Sequence, residues 1–306
     1  MMKFTPAALA AALVLAGCAS APHAPAASTP VAEAATAAAP AAPASKGPAG
    51  DDNLNAVLWS QTSNEHDFIY LQAYRNAQEK LLKAKADPNW DALAKDDRAA
   101  HPSLKGLKPA VVLDVDETAL DNSPYQARLI RSGGEFNEAE WAAWCQEQKA
   151  KPMTGAVAFT KFAADHGIAV IFVSNRAKDL NDATLANLRS AGFPVAGKES
   201  FLGLGTFVEG CEQAGTEKGC RRQLIASKYR VLMQFGDQIG DFANVYGNTA
   251  EGRAKAMAPY TAWIGERWFV LPNPTYGSWE PALFDNDYTL PREERRQKKI
   301  GALRTN

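Results

Sequence analysis

Three short apolar runs, each stopping abruptly at a polar residue, constrain the fold of this chain more than any other feature. Pro109-Ala110-Val111-Val112-Leu113 ends at Asp114, Ile168-Ala169-Val170-Ile171-Phe172-Val173 ends at Ser174, and Tyr229 to Phe235 ends at Gly236-Asp237. A strand with one wet face would alternate apolar and polar side chains; a continuous apolar run reads as a strand buried on both faces of a parallel sheet. Helical stretches separate the runs, at Gly155 to Asp165 and Leu180 to Ala191, the second followed by a Gly192-Phe193-Pro194 break. Strand alternating with helix predicts a parallel sheet with right-handed crossovers. Ligands of such sheets bind beyond the carboxyl ends of the strands, so Asp114, Ser174 and Asp237 are expected in one crevice.

The stretch from Ser123 to Lys151 is longer than a crossover needs and is rich in Trp and Glu. It reads as a small helical cap. Before the first strand, apolar residues recur at helical spacing through Val57, Leu58, Phe68, Leu71, Tyr74 and Leu81, predicting one or two amphipathic helices that join this cap. The expected architecture is therefore α/β, a parallel Rossmann-like sheet flanked by helices with a smaller helical cap. The core is expected at about residues 106–122 and 152–280, and the cap at about 51–105 and 123–151.

The first 50 residues stand outside that domain. A start containing Lys3, an apolar stretch from Phe4 to Gly17 and the ending Leu15-Ala16-Gly17-Cys18 read as a secretory signal (1–17) closed by a lipobox. Cys18 would become the lipidated N-terminus; the competing readings are an ordinary cleaved signal and a short anchor, for which the stretch is too short to span comfortably. Ala19 to Gly50 is almost entirely Ala, Pro, Ser and Thr, a composition that seeds no core and reads as a flexible tether. The formal net charge of -1 offers no basic surplus for polymeric nucleic acid. In an exported chain Cys211 and Cys220, nine apart in a Gly-rich loop, could pair, leaving Cys145 as a buried thiol; three unlinked thiols is the alternative. Nothing has the spacing of a zinc site.

The chemistry is concentrated at the strand ends. Asp114-Val115-Asp116-Glu117-Thr118 sets two carboxylates two apart where a strand gives out, so both can address one substrate. One carboxylate can attack phosphorus to form an aspartyl-phosphate, while the other protonates the departing alkoxide and later deprotonates water. A solvated acidic turn is the bland alternative, made weaker by the apolar strand in front of it.

The run continues Leu120-Asp121-Asn122-Ser123-Pro124-Tyr125, and Asp114 to Tyr125 as a whole resembles the first motif of the haloacid-dehalogenase superfamily, in the version carried by class C bacterial acid phosphatases and lipoprotein 5'-nucleotidases. The likeness extends from about Trp59 to Glu280, including Trp141 to Pro152 and Phe269 to Glu280. It implies hydrolysis of small phosphomonoesters, nucleoside monophosphates among them, with Asp114 as nucleophile and Asp116 as general acid/base. By the same resemblance Ser174 holds the transferring phosphoryl group and Asn175 and Arg176 contact substrate. Gly236-Asp237-Gln238-Ile239-Gly240-Asp241 resembles the acidic motif completing a Mg2+ site, to which Asp114 and Asp237 would give side-chain oxygens, Asp116 a backbone carbonyl, and Asp241 either a direct bond or support. The family more often has Asn-Leu where this chain has Gln238-Ile239, which opens the question of the hydrogen bond the usual Asn makes. Lys218 is the expected charge-offsetting lysine, with Lys228 its competitor; Trp144 and Tyr246, with Trp141, are available to stack on a base.

The resemblance also implies an outer membrane lipoprotein. A phosphotransferase would keep every catalytic residue and differ only in the acceptor. A non-catalytic surface lipoprotein that binds nucleotide or haem is the reading from another class, and loss of Asp114 or Asp237 would have favoured it. The segment from Phe269 to Glu280 holds no obvious acid, base or ligand and is expected to be structural.

Overall fold

In the computed structural model, residues 52–305 are described; Cys18, the signal and the tether lie outside the described residues. The chain runs α1 (Leu54–Thr62), α2 (Asn64–Ala86), α3 (Lys95–Ala99), β1 (Lys108–Leu113), β2 (Leu120–Asp121), α4 (Ser123–Ser132), α5 (Glu138–Glu147), β3 (Lys151–Pro152), α6 (Ala156–Asp165) and β4 (Ala169–Ala177). It continues through α7 (Asn181–Ser190), β5 (Phe201–Leu204), α8 (Gly219–Ala226), β6 (Tyr229–Gly236), α9 (Ala250–Met257), β7 (Trp268–Val270) and α10 (Arg292–Gly301).

The five strands of the main sheet are ordered β5-β4-β1-β6-β7, and every neighbouring pair is parallel. The three apolar runs are β1, β4 and β6, the central strands, which is why they carry apolar side chains on both faces. Along β1 the period of two divides the core: Val111 and Leu113 face one apolar cluster, Ala110 and Val112 the other. The first cluster is closed by α2, α6 and α7, the second by residues 92–94 and α8 together with Phe242, Tyr260 and Trp268.

One expected grouping differs. Helix α2 does not sit with the cap: Tyr70, Tyr74, Ala77, Leu81 and Ala84 are buried on the side of α2 that packs against β6, β7 and α6, so it is a layer of the core. Tyr74 stacks on Phe235 of β6 at 5.2 Å. The helical spacing of these residues fixes an apolar stripe but not its partner, and a broad sheet face buries more of it than a short cap helix would. Only α1 lies against α4. The cap stretch leaves and rejoins the core through the antiparallel pair β2–β3, Leu120 opposite Pro152 and Asp121 opposite Lys151. Within it, Arg128 of α4 holds Glu147 of α5 in a two-bond ion pair at 2.5 and 2.9 Å.

Candidate active site

The carboxyl ends of β1, β4 and β6 converge. Asp114 continues the β1 ladder by donating its N–H to Phe235 O at 3.0 Å. Beyond it the chain turns sharply: Val115 O accepts N–H bonds from Ala119 and Leu120 at 2.9 and 2.8 Å, and Glu117 adopts a left-handed φ of 55°. Such a conformation costs a non-glycine residue about 1 kcal/mol or more. It is held by its surroundings: Tyr70 Oη donates to Glu117 O at 2.5 Å, Tyr74 Oη to Thr118 O at 2.8 Å, and Asn122 N–H to Glu117 Oε1 at 2.7 Å.

The two carboxylates of the Asp114–Asp116 pair meet different partners. Lys218 Nζ, buried just ahead of α8, bonds Asp114 Oδ1, Asp241 Oδ1 at 2.7 Å and Val173 O at 2.9 Å. Asp116 accepts from Ser174 Oγ at 3.1 Å, Asn122 Nδ2 at 2.9 Å and Arg176 Nε at 2.9 Å. Lys218 is therefore the lysine at Asp114, whereas Lys228 is exposed at the opposite end of β6. Its loop is pinned by a disulfide between Cys211 and Cys220, and Cys145 is a free, buried thiol.

Asp114, Asp237 and Asp241 bring carboxylate oxygens within 4.8 Å of one another, the one such group of potential metal ligands among the described residues. Burial, and then the neighbouring Asp241 and Asp116, push the Asp114 carboxyl up to about 7 even though Lys218 opposes the shift. Burial raises Asp237 well above the usual carboxylate range, with Asp241 and Asp114 adding to it. Burial disfavours the Lys218 ammonium, but Asp114 and Asp241 outweigh it and hold its pKa above the ordinary value. When all three carboxyls are ionised, one ammonium leaves two surplus negative charges in a buried cluster, which is why burial resists their ionisation without a cation. An all-oxygen donor set with that surplus fits a hard divalent cation.

Sequence reasoning missed several supports. Arg221 and Arg222, fully buried, fasten the loops: Arg221 donates to Ser174 O at 2.6 Å and Asn175 Oδ1 at 2.7 Å, and Arg222 to Gly240 O and Asn244 Oδ1, both at 2.7 Å, with Asp97 as its ion-pair partner at 2.6 Å. Asn273 Nδ2 donates to Asp237 Oδ2 at 2.7 Å, and Tyr276 Oη bonds Glu117 Oε2. The segment from Phe269 to Glu280 is thus not merely structural. It supports both acidic motifs through groups that are polar but not ionised, which gave no sequence signal. Gln238 supplies a bond of its own, donating to Asp237 Oδ2 at 2.9 Å while its Oε1 accepts Ser278 N–H at 3.0 Å.

Two expected substrate contacts are corrected. Trp144 is 3% exposed, its indole N–H bonded to Asn122 Oδ1 at 2.8 Å and the Arg128 guanidinium 4.9 Å from its ring centroid, so no face is open for stacking. Arg176 is 1% exposed and paired with Asp116 at 2.8 Å, so its guanidinium is committed to protein partners. Asn175 and Tyr246 are exposed, Tyr246 at 77%. Trp141 is half-buried, with Arg176 5.4 Å from its ring centroid.

A profile of HAD superfamily subfamily IIIB (acid phosphatase) matches residues 24–279, and the chain belongs to that family. Among solved structures, the class C acid phosphatase from Bacillus anthracis with tungstate bound is 32% identical, with a TM-score of 0.71, covering 83% of this chain and 97% of that one. Among curated relatives, the stem 28 kDa glycoprotein of Glycine max is 25% identical over 186 residues, 59% of this chain and 62% of that protein. Acid phosphatase 1 of Solanum lycopersicum is 25% identical over 166 residues, 54% of this chain and 57% of that protein. The chain thus spans about six tenths of the length of the curated relatives it matches.

Proposed function

We propose that this protein is a metal-dependent acid phosphatase acting on small phosphomonoesters, 5'-nucleotides among them, through an aspartyl-phosphate on Asp114. The observation that carries this reading is the unequal treatment of two neighbouring carboxylates. Asp114 is packed among Lys218, Asp237 and Asp241, whereas Asp116 is held separately by Ser174, Asn122 and Arg176. A pair of acids given different environments is how one site obtains a nucleophile and a proton carrier.

In the first step an Asp114 oxygen forms a bond to phosphorus, the bond to the leaving oxygen breaks, and Asp116 gives that oxygen its proton. In the second step Asp116 takes a proton from water as the water oxygen bonds to phosphorus; the Asp114–phosphorus bond breaks and inorganic phosphate leaves. Ser174 binds a phosphoryl oxygen, and the buried Lys218 ammonium offsets the negative charge gathered at Asp114. Asp114, Asp237 and Asp241, with the Asp116 carbonyl, would hold Mg2+, which supplies charge neutralisation around the phosphoryl group. The similar Bacillus anthracis enzyme has tungstate bound, a tetrahedral oxyanion, which supports an oxyanion-binding site here. Tyr246, exposed after the acidic motif, is the ring we assign to stacking on a nucleobase. Because Asp116 must carry a proton for the first step, rates are expected to favour mildly acidic pH, and a flat profile from about pH 4 to 8 would contradict that role. We read Cys18 as a lipid anchor on the strength of the lipobox, and the outer membrane as its destination on the strength of the family resemblance; loss of fatty-acid labelling in Cys18→Ala would test the anchor.

The test is phosphate release from 5'-AMP and from an aryl phosphate, with magnesium, with EDTA, and with Asp114→Asn. Release abolished by both EDTA and the substitution is expected. No release from either ester would sink the hydrolase reading and bring forward a nucleotide-binding lipoprotein.

A further inference from the structure

Asp116 is gripped asymmetrically. Its Oδ1 receives Asn122 Nδ2 at 2.9 Å, Arg176 Nε at 2.9 Å and Arg176 Nη2 at 2.8 Å, while its Oδ2 has the Ser174 hydroxyl at 3.1 Å. Asn122 Oδ1 in turn receives the Trp144 indole N–H at 2.8 Å and Arg176 Nη2 at 3.2 Å, and Arg176 Nη1 reaches Thr184 Oγ1 of α7 at 3.3 Å. Asn122, Trp144, Arg176 and Thr184 are all at least nine-tenths buried, whereas the Asp116 side chain keeps 16% of its surface open. Each buried donor has few alternative partners, so the network over-determines the carboxylate's orientation. Saturating Oδ1 leaves Oδ2 with spare acceptor capacity at the mouth of the site.

We propose that Trp144, Asn122 and Arg176 are positioning residues that lock Asp116 through Oδ1, so that Oδ2 alone exchanges the proton with the leaving group. The proposal deepens the phosphatase reading and rests on it. It also gives the cap a direct mechanical link to the chemistry, because Trp144 lies on α5 while Arg176 and Ser174 lie on β4. Helix α5 meets this network twice, at the Trp144 indole N–H and at the Trp141 ring, 5.4 Å from the Arg176 guanidinium. A phenylalanine at 144 would fill most of the volume while removing the shorter of the two bonds to Asn122 Oδ1 and leaving only Arg176 Nη2 at 3.2 Å. General acid catalysis matters most when the leaving group is poor. Misplacing Oδ2 must therefore damage transfer from an alkyl phosphomonoester far more than transfer from an activated aryl phosphate, whose phenolate departs without a proton.

The experiment compares kcat/KM, which reports only the first transfer, for 5'-AMP and for an activated aryl phosphate in the unaltered protein, Trp144→Phe, Arg176→Lys and Asp116→Asn. The expected result is that each positioning variant lowers the 5'-AMP value about tenfold more than the aryl value, in the same direction as Asp116→Asn but by less. The aryl rate reports, in the same sample, that the site is folded, and Arg176→Lys stands in should Trp144→Phe fail to fold. Equal losses for both esters, or no loss in either, would overturn the proposal. Absence of activity in the unaltered protein would instead refute the phosphatase reading itself.

Discussion

Asp114 and Asp237 hold their carboxylates where ionisation is unfavourable. Burial pushes Asp114 up to about 7 and Asp237 well above the usual range, against roughly 3.9 for an aspartate in an unfolded chain. The folded state therefore binds protons more tightly. As pH rises from about 4 toward about 7 the unfolded chain gives up these protons first, and stability falls across that window. A divalent cation needs both carboxylates ionised, so at low pH it must displace protons. Magnesium is expected to raise the melting temperature more at about pH 7.5 than at about pH 5, measured by thermal denaturation; equal shifts would mean that these carboxylates do not bind it. Gly236 meets a steric limit in the same place. A Cβ there would lie 2.2 Å from Asp241 Oδ2 and 2.4 Å from its Cβ. Gly236→Ala is expected to displace Asp241 and abolish metal-dependent activity, at a stability cost of about 1–3 kcal/mol read from denaturant unfolding.

At the scale of elements, the loop before α8 is where order is most deliberately imposed. It carries Lys218 between two cysteines that are joined, and Arg221 on the first turns of α8 holds Ser174 O. Breaking the disulfide in a Cys211→Ser/Cys220→Ser variant is expected to cost about 2–3 kcal/mol and to lower kcat, because the loop that aims Lys218 gains freedom; unchanged kcat would show that α8 alone fixes the lysine. The elements also show what a sequence can reveal. Strands β1, β4 and β6 were legible because burial on two faces writes a continuous apolar run. Strands β5 and β7 were not, being only 4 and 3 residues long, with Gly203 interrupting the first. The layer to which α2 belongs was hidden because an amphipathic stripe does not name its partner. The same limit applied within the site. The polar residues Asp114, Asp116, Ser174, Lys218, Asp237 and Asp241 lie together at the strand ends, where an apolar run that stops at a polar residue marks the place, whereas the burial of Trp144 and Arg176 is not written in their residue types.

At the scale of the molecule, α10 lies beyond the segment matched to the family and is held by charge rather than by apolar packing. None of its residues is buried. Arg295 pairs with Glu135 in the cap stretch and Arg296 with Asp52, while Lys299 reaches Glu280. Such exposed pairs weaken with ionic strength. Raising salt to about 1 M is expected to accelerate amide exchange in α10 while leaving β1, β4 and β6 protected; uniform protection would mean that packing, not charge, secures it. Residues 52–305 then read as an α/β core that fixes two acidic motifs, a cap linked to Asp116, and a charged strap across the outside. The proposed reaction passes through a covalent phosphoenzyme on Asp114. The direct measurement is mass analysis of peptides after acid quenching of Asp116→Asn with an activated aryl phosphate, a variant in which the leaving group needs no proton but the attacking water lacks its base. A phosphoryl group on the peptide bearing Asp114, absent when Asp114 is also changed to Asn, is the predicted result. Turnover of the aryl ester by Asp114→Asn at the rate of the unaltered protein would contradict the account.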